Sequence, residues 1–210
     1  MIGPAPETLV LGVGNVLWAD EGFGVRCVEA MAETFEEPPG VVFMDGGTQG
    51  LQLVNVLAEA KNVLIFDAVD FGAKPGTLIT ARGDDVPRFV AGKKVSLHQT
   101  SMMEVLAVAE LMTDRLPEQL TLVGCQPFEL EDYGGGLTPG VAAKVAPALV
   151  LAQEELAIWG VTLTPSTRAE PLMPQAVERA RYEGERPSEA TACRIGDARV
   201  LARKLQPSDG

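Results

Sequence analysis

Two hydrophobic periods alternate along this chain. Residues 8–13, Thr-Leu-Val-Leu-Gly-Val, form an almost unbroken apolar run of strand length, the pattern of a strand buried on both faces. The period then changes. From about Gly24, Val25, Val28, Met31 and Phe35 recur at spacings of three and four and predict a helix with one apolar face, ended by Pro38-Pro39-Gly40. Val41–Met44 predicts a second strand, ending at Asp45-Gly46-Gly47-Thr48. A helix is expected over Leu51–Ala60, with Leu51, Val54 and Leu57 on one side, and a third strand over Val63–Phe66, ending at Asp67.

The next link differs. Asp67 to Thr77 carries no helical pattern, and Pro75-Gly76 reads as a type II turn, so Thr77–Thr80 is expected to run antiparallel at a sheet edge. A polar loop through Val95-Ser-Leu-His98-Gln-Thr follows. Ser101 and Glu104 have capping-box spacing, and the helix behind them places Met102, Val105, Leu106, Ala109 and Met112 on one face. Leu120–Val123 is the last strand expected. Thr138-Pro139 should cap and open a long helix, with Val141, Val145, Leu149, Ala152, Leu156 and Trp159 as its stripe and a kink at Pro147. Beyond Trp159 the pattern weakens.

Strand–helix–strand–helix–strand links of this length require parallel strands joined by right-handed crossovers. The fold class that follows is α/β in three layers: a mostly parallel twisted sheet with one antiparallel edge strand and helices on both faces.

Charge refines the boundaries. The chain of 210 residues has a net charge of −12, which disfavours nucleic acid as a partner. Residues 1–165 carry 9 Lys/Arg and 22 Asp/Glu, a balance of −13, whereas residues 166–210 carry 8 and 7, a balance of +1. We therefore expect an α/β domain over 1–165 and a Pro-rich charged extension over 166–210. Cys27, Cys125 and Cys193 are scattered singly, without a Cys-x-x-Cys pair, which suits a reducing compartment. No apolar run approaches the roughly 18 residues of a membrane span, and no basic leader opens the chain. A cytoplasmic protein is expected. His98 is the only histidine, so any imidazole chemistry rests on it.

Open α/β sheets bind ligands at the carboxyl ends of their strands. The first strand leads to Asp20 and Glu21, the second delivers Asp45 and the third Asp67. Acids gathered on one rim are unfavourable unless a proton or a cation lies among them, and one imidazole with two or three carboxylates would suit Zn, Ni, Mn or Fe. Structural roles compete: Asp45 before two glycines is as readily a turn former, and Asp20 reads best as a cap for the helix behind it. Glu21, in an exposed turn, and Asp67, ending an apolar strand, read as functional. Gly12-Val-Gly14-Asn-Val-Leu17 lacks the third glycine of a dinucleotide fingerprint, and no Gly-x-Ser-x-Gly elbow is present.

Six separated motifs occur in order: residues 12–25 (Gly-Val-Gly-Asn-Val-Leu-Trp-Ala-Asp-Glu-Gly-Phe-Gly-Val), 45–48 (Asp-Gly-Gly-Thr), 66–70 (Phe-Asp-Ala-Val-Asp), 75–78 (Pro-Gly-Thr-Leu), 96–99 (Ser-Leu-His-Gln) and 124–127 (Gly-Cys-Gln-Pro). Together, over residues 8–160, they resemble the hydrogenase maturation endopeptidases. The Ala-Cys-Arg-Ile-Gly-Asp run at 192–197 is similar to the extension of the uptake-hydrogenase subgroup. The resemblance implies a five-stranded sheet and an endopeptidase that removes the C-terminal peptide of a nickel-loaded [NiFe]-hydrogenase large-subunit precursor. It implies that Glu21, Asp67 and His98 bind the metal, that the nickel is carried by the precursor, and that no permanent cofactor is needed. A monomer is expected. The residues leave the attacking group open. The working expectation is that nickel in the precursor anchors the substrate and a water attacks, with either the metal polarising the scissile carbonyl or a rim carboxylate such as Asp45 acting as base, and with Glu21 and Asp67 also in the reacting centre. Two other readings remain in view: a metal-gated checkpoint that holds the precursor without cutting it, and a nucleotide-binding Rossmann enzyme.

Overall fold

A computed structural model describes residues 6–87, 102–113, 117–130, 132–133 and 136–166. Its centre is a five-stranded sheet in the order β3-β1-β4-β6-β5. The strands are β1 (Thr8–Val13), β3 (Val41–Gly47), β4 (Asn62–Ala68), β5 (Leu78–Arg82) and β6 (Gln119–Cys125). β1, β3, β4 and β6 are parallel, and β5 runs antiparallel to β6 at the edge, as the Pro75-Gly76 turn foretold. That turn closes with Thr77 N–H donating to Lys74 O at 3.0 Å, and Gly76 supplies φ 79° at its third position.

Helices cover both faces. α1 (Phe23–Thr34) and α5 (Val145–Ile158) lie over one face, where Val10, Leu64, Phe66 and Val123 meet Phe23, Val28, Met31, Leu149 and Leu156 in one cluster. α2 (Val54–Glu59) and α3 (Met102–Thr113) cover the other, where Leu9, Leu11, Val63 and Ile65 meet Val54, Leu57, Val105 and Leu106. Strand residues alternate strictly between the two clusters, which is the two-residue period of a sheet buried on both sides.

Five expectations about the elements need correction. The helix expected over Leu51–Ala60 opens as a 3₁₀ turn, Gly50–Leu53, which leaves Leu51 exposed, and only Val54–Glu59 is α-helical. Phe35 belongs to a short strand, β2 (Phe35–Glu36), that pairs antiparallel with β7 (Thr164–Pro165) instead of extending α1. The pairing is long-range, so helical spacing could not reveal it. The expected long helix is two: α4 (Pro139–Ala142) and α5. The break falls before Pro147, because a proline ring clashes with the carbonyl four residues back, here that of Ala143, and its missing N–H is tolerated only in a first turn. Met112 is 64% exposed. α3 is apolar almost all round, so periodicity alone does not choose its face. Finally, β3 and β4 run past Asp45 and Asp67, which are strand residues rather than the first residues of loops. The expected Ser101 cap and the extension beyond residue 166 lie outside the described residues.

Candidate functional site

The strand order creates a switch point. The chain leaves β1 toward β3 on one side, returns past it to β4, and leaves β4 on the other side, first to β5 at the far edge and then to β6 between them. The connections at the carboxyl ends of β1 and β4 therefore diverge and open a crevice between them. Asp67 lies in β4, and Glu21 lies in the Ala19–Gly22 turn of the connection that leaves β1, so the two strands that flank the crevice carry or lead to both. β3, which carries Asp45, is the edge strand beyond β1, with Asp45 in register with Gly12.

The glycines of the first motif are packing devices. A Cβ on Gly24 would collide with the carbonyl oxygens of Val13 and Phe66, and one on Gly12 would meet Val28 Cγ1 at 2.5 Å. α1 can thus begin pressed against β1 and β4. Gly14 has φ 134°, and a Cβ there would collide with the carbonyl oxygen of Glu21. That same oxygen accepts from Asn15 N–H at 3.2 Å. The Gly14–Asn15 backbone and the turn bearing Glu21 therefore touch. Asn15 Oδ1 accepts from Leu17 N–H at 3.0 Å, and a short 3₁₀ turn, Ala19–Gly22, carries the chain into α1.

Asp20 and Glu21 are adjacent and differently used. Asp20 is completely buried. Its Oδ2 accepts from Phe128 N–H at 2.9 Å, Glu129 N–H at 3.0 Å and Thr138 Oγ1 at 3.1 Å, while Oδ1 accepts from Thr138 N–H at 2.7 Å. Asp20 is structural, as expected, but it does not cap its own helix: it clasps Phe128, Glu129 and Thr138 to the Glu21 turn. Thr138 correspondingly gives its side chain to Asp20 and caps nothing with it. Glu21 is half-buried.

Asp67 is 1% exposed. By strand alternation it shares the face of Val63 and Ile65, the face covered by α3. The loop after it is held by Gln126, whose Oε1 accepts from Phe71 N–H at 2.9 Å and Ala73 N–H at 3.2 Å and whose Nε2 donates to Asp70 Oδ1 at 3.0 Å. Asp45 lies on the opposite, α1-covered face, half-buried, with Oδ1 accepting from Gly47 N–H at 2.8 Å. Burial raises its carboxyl above the ordinary 3.8; the Gly47 hydrogen bond opposes this, the Glu29 charge adds to it and the Arg26 charge opposes it. Arg26 and Glu29 form an ion pair of 2.9 Å on α1, both side chains at most 3% exposed. His98 lies outside the described residues. Among the described residues no three His, Cys, Asp or Glu side chains group closely enough to hold a metal.

The hydrogenase maturation protease family model matches residues 25–155. The chain belongs to this family. It is 56% identical to the hydrogenase expression/formation protein HupD of Rhodobacter capsulatus over 93% of this chain and 94% of that one. It is 50% identical to HupM of Azotobacter chroococcum over the full length of both, residues 166–210 included. The Escherichia coli hydrogenase-maturating endopeptidase HybD superposes with a TM-score of 0.70 at 39% identity, covering 77% of this chain and 98% of that one. The fold and the peptidase class stand on these matches together.

As a maturation protease the chain has poor thiol nucleophiles among its described residues. Cys27 and Cys125 are both fully buried. Burial pushes the Cys125 thiol to about 12, with the Asp20 charge adding and Lys144 opposing, so it holds its proton at neutral pH. Sequence reasoning missed the Gln126 clasp and the Arg26–Glu29 pair. Gln126 stood inside a quoted motif, yet its partners, 53 to 56 positions away, carry no local signal.

Proposed function

We propose that this chain is the endopeptidase that removes the C-terminal peptide of a nickel-loaded [NiFe]-hydrogenase large-subunit precursor. Glu21, Asp67 and His98 recognise the nickel, which belongs to the substrate and needs no resident counterpart. The observation that supports this reading is that Asp67 lies in β4 and Glu21 in the turn that follows β1, the two strands flanking the switch-point crevice. His98 precedes Met102 by four positions, and Met102 opens α3, the helix over the face that Asp67 shares. The proposal extends to a monomer acting in the cytoplasm, to a 1–165 peptidase domain and to a separate 166–210 extension; no helix of the described residues is long and apolar enough to cross a membrane.

A water is the nucleophile, since the described thiols are buried. Its base is Asp45 or a carboxylate of the metal-recognising set. Asp45 has the stronger motive, because a carboxyl raised by burial holds a proton better at neutral pH. Its place on β3 puts it on the side of the crevice away from Asp67, where it would address a peptide lying across β1.

Purified protein incubated with nickel-loaded precursor should yield a shortened large subunit and a free peptide, and nickel-free precursor should remain intact. Intact nickel-loaded precursor after long incubation would instead favour the checkpoint reading.

A further inference from the structure

The described residues expose two large aromatic side chains, Phe128 at 54% and Tyr133 at 66%. Both stand beside the Glu21 turn. Tyr133 packs edge-on against Trp18, ring centroids 5.1 Å apart, and the two residues also form a β-bridge. Phe128 lies over Gly140, where a Cβ would meet its Cε2 at 2.5 Å, so the glycine leaves the ring room to lie flat on the start of α4. The backbone at Phe128 is fixed by the Asp20 clasp, which takes the amide hydrogens of Phe128 and Glu129, and by Asp20 N–H donating to Glu129 O at 3.1 Å, while the bridge to Trp18 holds Tyr133.

Exposed aromatics held on pinned backbone are costly surface to leave in water and cheap surface to bind with, because little side-chain freedom remains to be lost. The other large exposed apolar side chains, Leu51, Leu111, Met112, Val150 and Ile158, are aliphatic. We propose that Trp18, Phe128 and Tyr133 form a docking shelf for an extended stretch of the substrate polypeptide adjoining the scissile bond, one that carries basic side chains. The inference rests on the endopeptidase reading above. The shelf is continuous with that site, since Trp18 and Glu21 belong to one turn and Glu21 N–H donates to Trp18 O at 2.9 Å. The basic character follows from charge: residues 1–165 carry a balance of −13, and a Lys or Arg over an indole or phenol face gains a cation–π contact.

Trp18 itself can report the docking. The chain has two tryptophans, Trp18 and Trp159, so Trp159→Phe leaves a single reporter in the shelf. A tryptophan-free synthetic peptide copying the precursor's C-terminal region should shift Trp18 emission saturably, and a peptide with its Lys and Arg replaced by Gln should bind about tenfold more weakly. In cleavage of nickel-loaded precursor, Tyr133→Ala and Phe128→Ala should each raise KM about five- to thirtyfold with kcat retained, and Tyr133→Phe should restore KM. Unchanged Trp18 emission together with wild-type KM in both alanine variants would overturn the shelf. So would a fall in kcat at constant KM, which would assign the rings to support of the Glu21 turn. If the wild-type protein cuts no precursor, the endopeptidase reading fails, and the peptide titration then decides the shelf alone: a saturable shift supports it and a flat response overturns it.

Discussion

The two ends of the sheet use polar residues in opposite ways. At the end of the sheet where the parallel strands begin and the antiparallel β5 finishes, charges pair with one another. Lys61 reaches Glu7 at 3.8 Å and Glu118 at 3.9 Å, all half or more exposed, and Arg82 Nε spans both oxygens of Glu155 at 2.8 and 2.9 Å. Thr121 adds a 3.4 Å bond to Glu155, and Asn62 bonds Thr8 at 3.2 Å. At the carboxyl ends Asp20 and Gln126 instead accept chiefly from backbone N–H groups, with the Gln126–Asp70 and Thr138–Asp20 side-chain bonds beside them. Asp20 and Gln126 bind the amide hydrogens of distant loops and fix their course. One end holds strands together; the other shapes loops around a crevice. A side chain that spends its hydrogen bonds on loop backbone sets geometry, and geometry is what a reacting rim needs.

The sharpest way to break this contrast is at the crevice itself. Glu21→Gln and Asp67→Asn should each keep the fold, read by circular dichroism, and lower precursor cleavage at least about a hundredfold. Full activity in either variant removes that residue from the site. Asp20→Asn comes next. It replaces an acceptor by an amide that cannot satisfy every donor aimed at it, and it should cost about 2–4 kcal/mol in urea unfolding as well as depress cleavage. An effect confined to stability would leave the clasp purely architectural.

Asp45 sharpens the comparison through pH. Its carboxyl is raised by burial, so the stabilising part of its titration is complete below 3.8 and is lost as pH rises through the higher folded value. Asp45→Asn should therefore flatten the decline of stability between pH 3.8 and neutrality, measured by unfolding at successive pH values. If Asp45 is the base, the same variant also removes an acidic limb of the kcat profile that sits above pH 3.8 in the wild type. The smallest effect belongs to the amino ends. Lys61→Ala breaks two long, exposed ion pairs and should change stability by less than about 1 kcal/mol with cleavage untouched.

Local pattern determined much of this protein. The apolar runs at Thr8–Val13, Val41–Met44, Val63–Phe66 and Leu120–Val123 each became a strand, because burial on both faces leaves no room for polar interruptions. Pro75-Gly76 turned the edge strand antiparallel through a conformation glycine allows. The strand pattern put Asp67 at the carboxyl end of β4 and Glu21 in the connection that follows β1.

Tertiary structure decided the rest. Only the strand order shows that β1 and β4 flank the switch point while Asp45 sits on the edge. Only long-range packing separates Asp20 from Glu21, since the donors that bury Asp20 lie 108 to 118 positions away. The β2–β7 pair has the same origin. Periodicity records which face of a segment meets the core; it does not record which distant backbone amide will meet a given carboxylate.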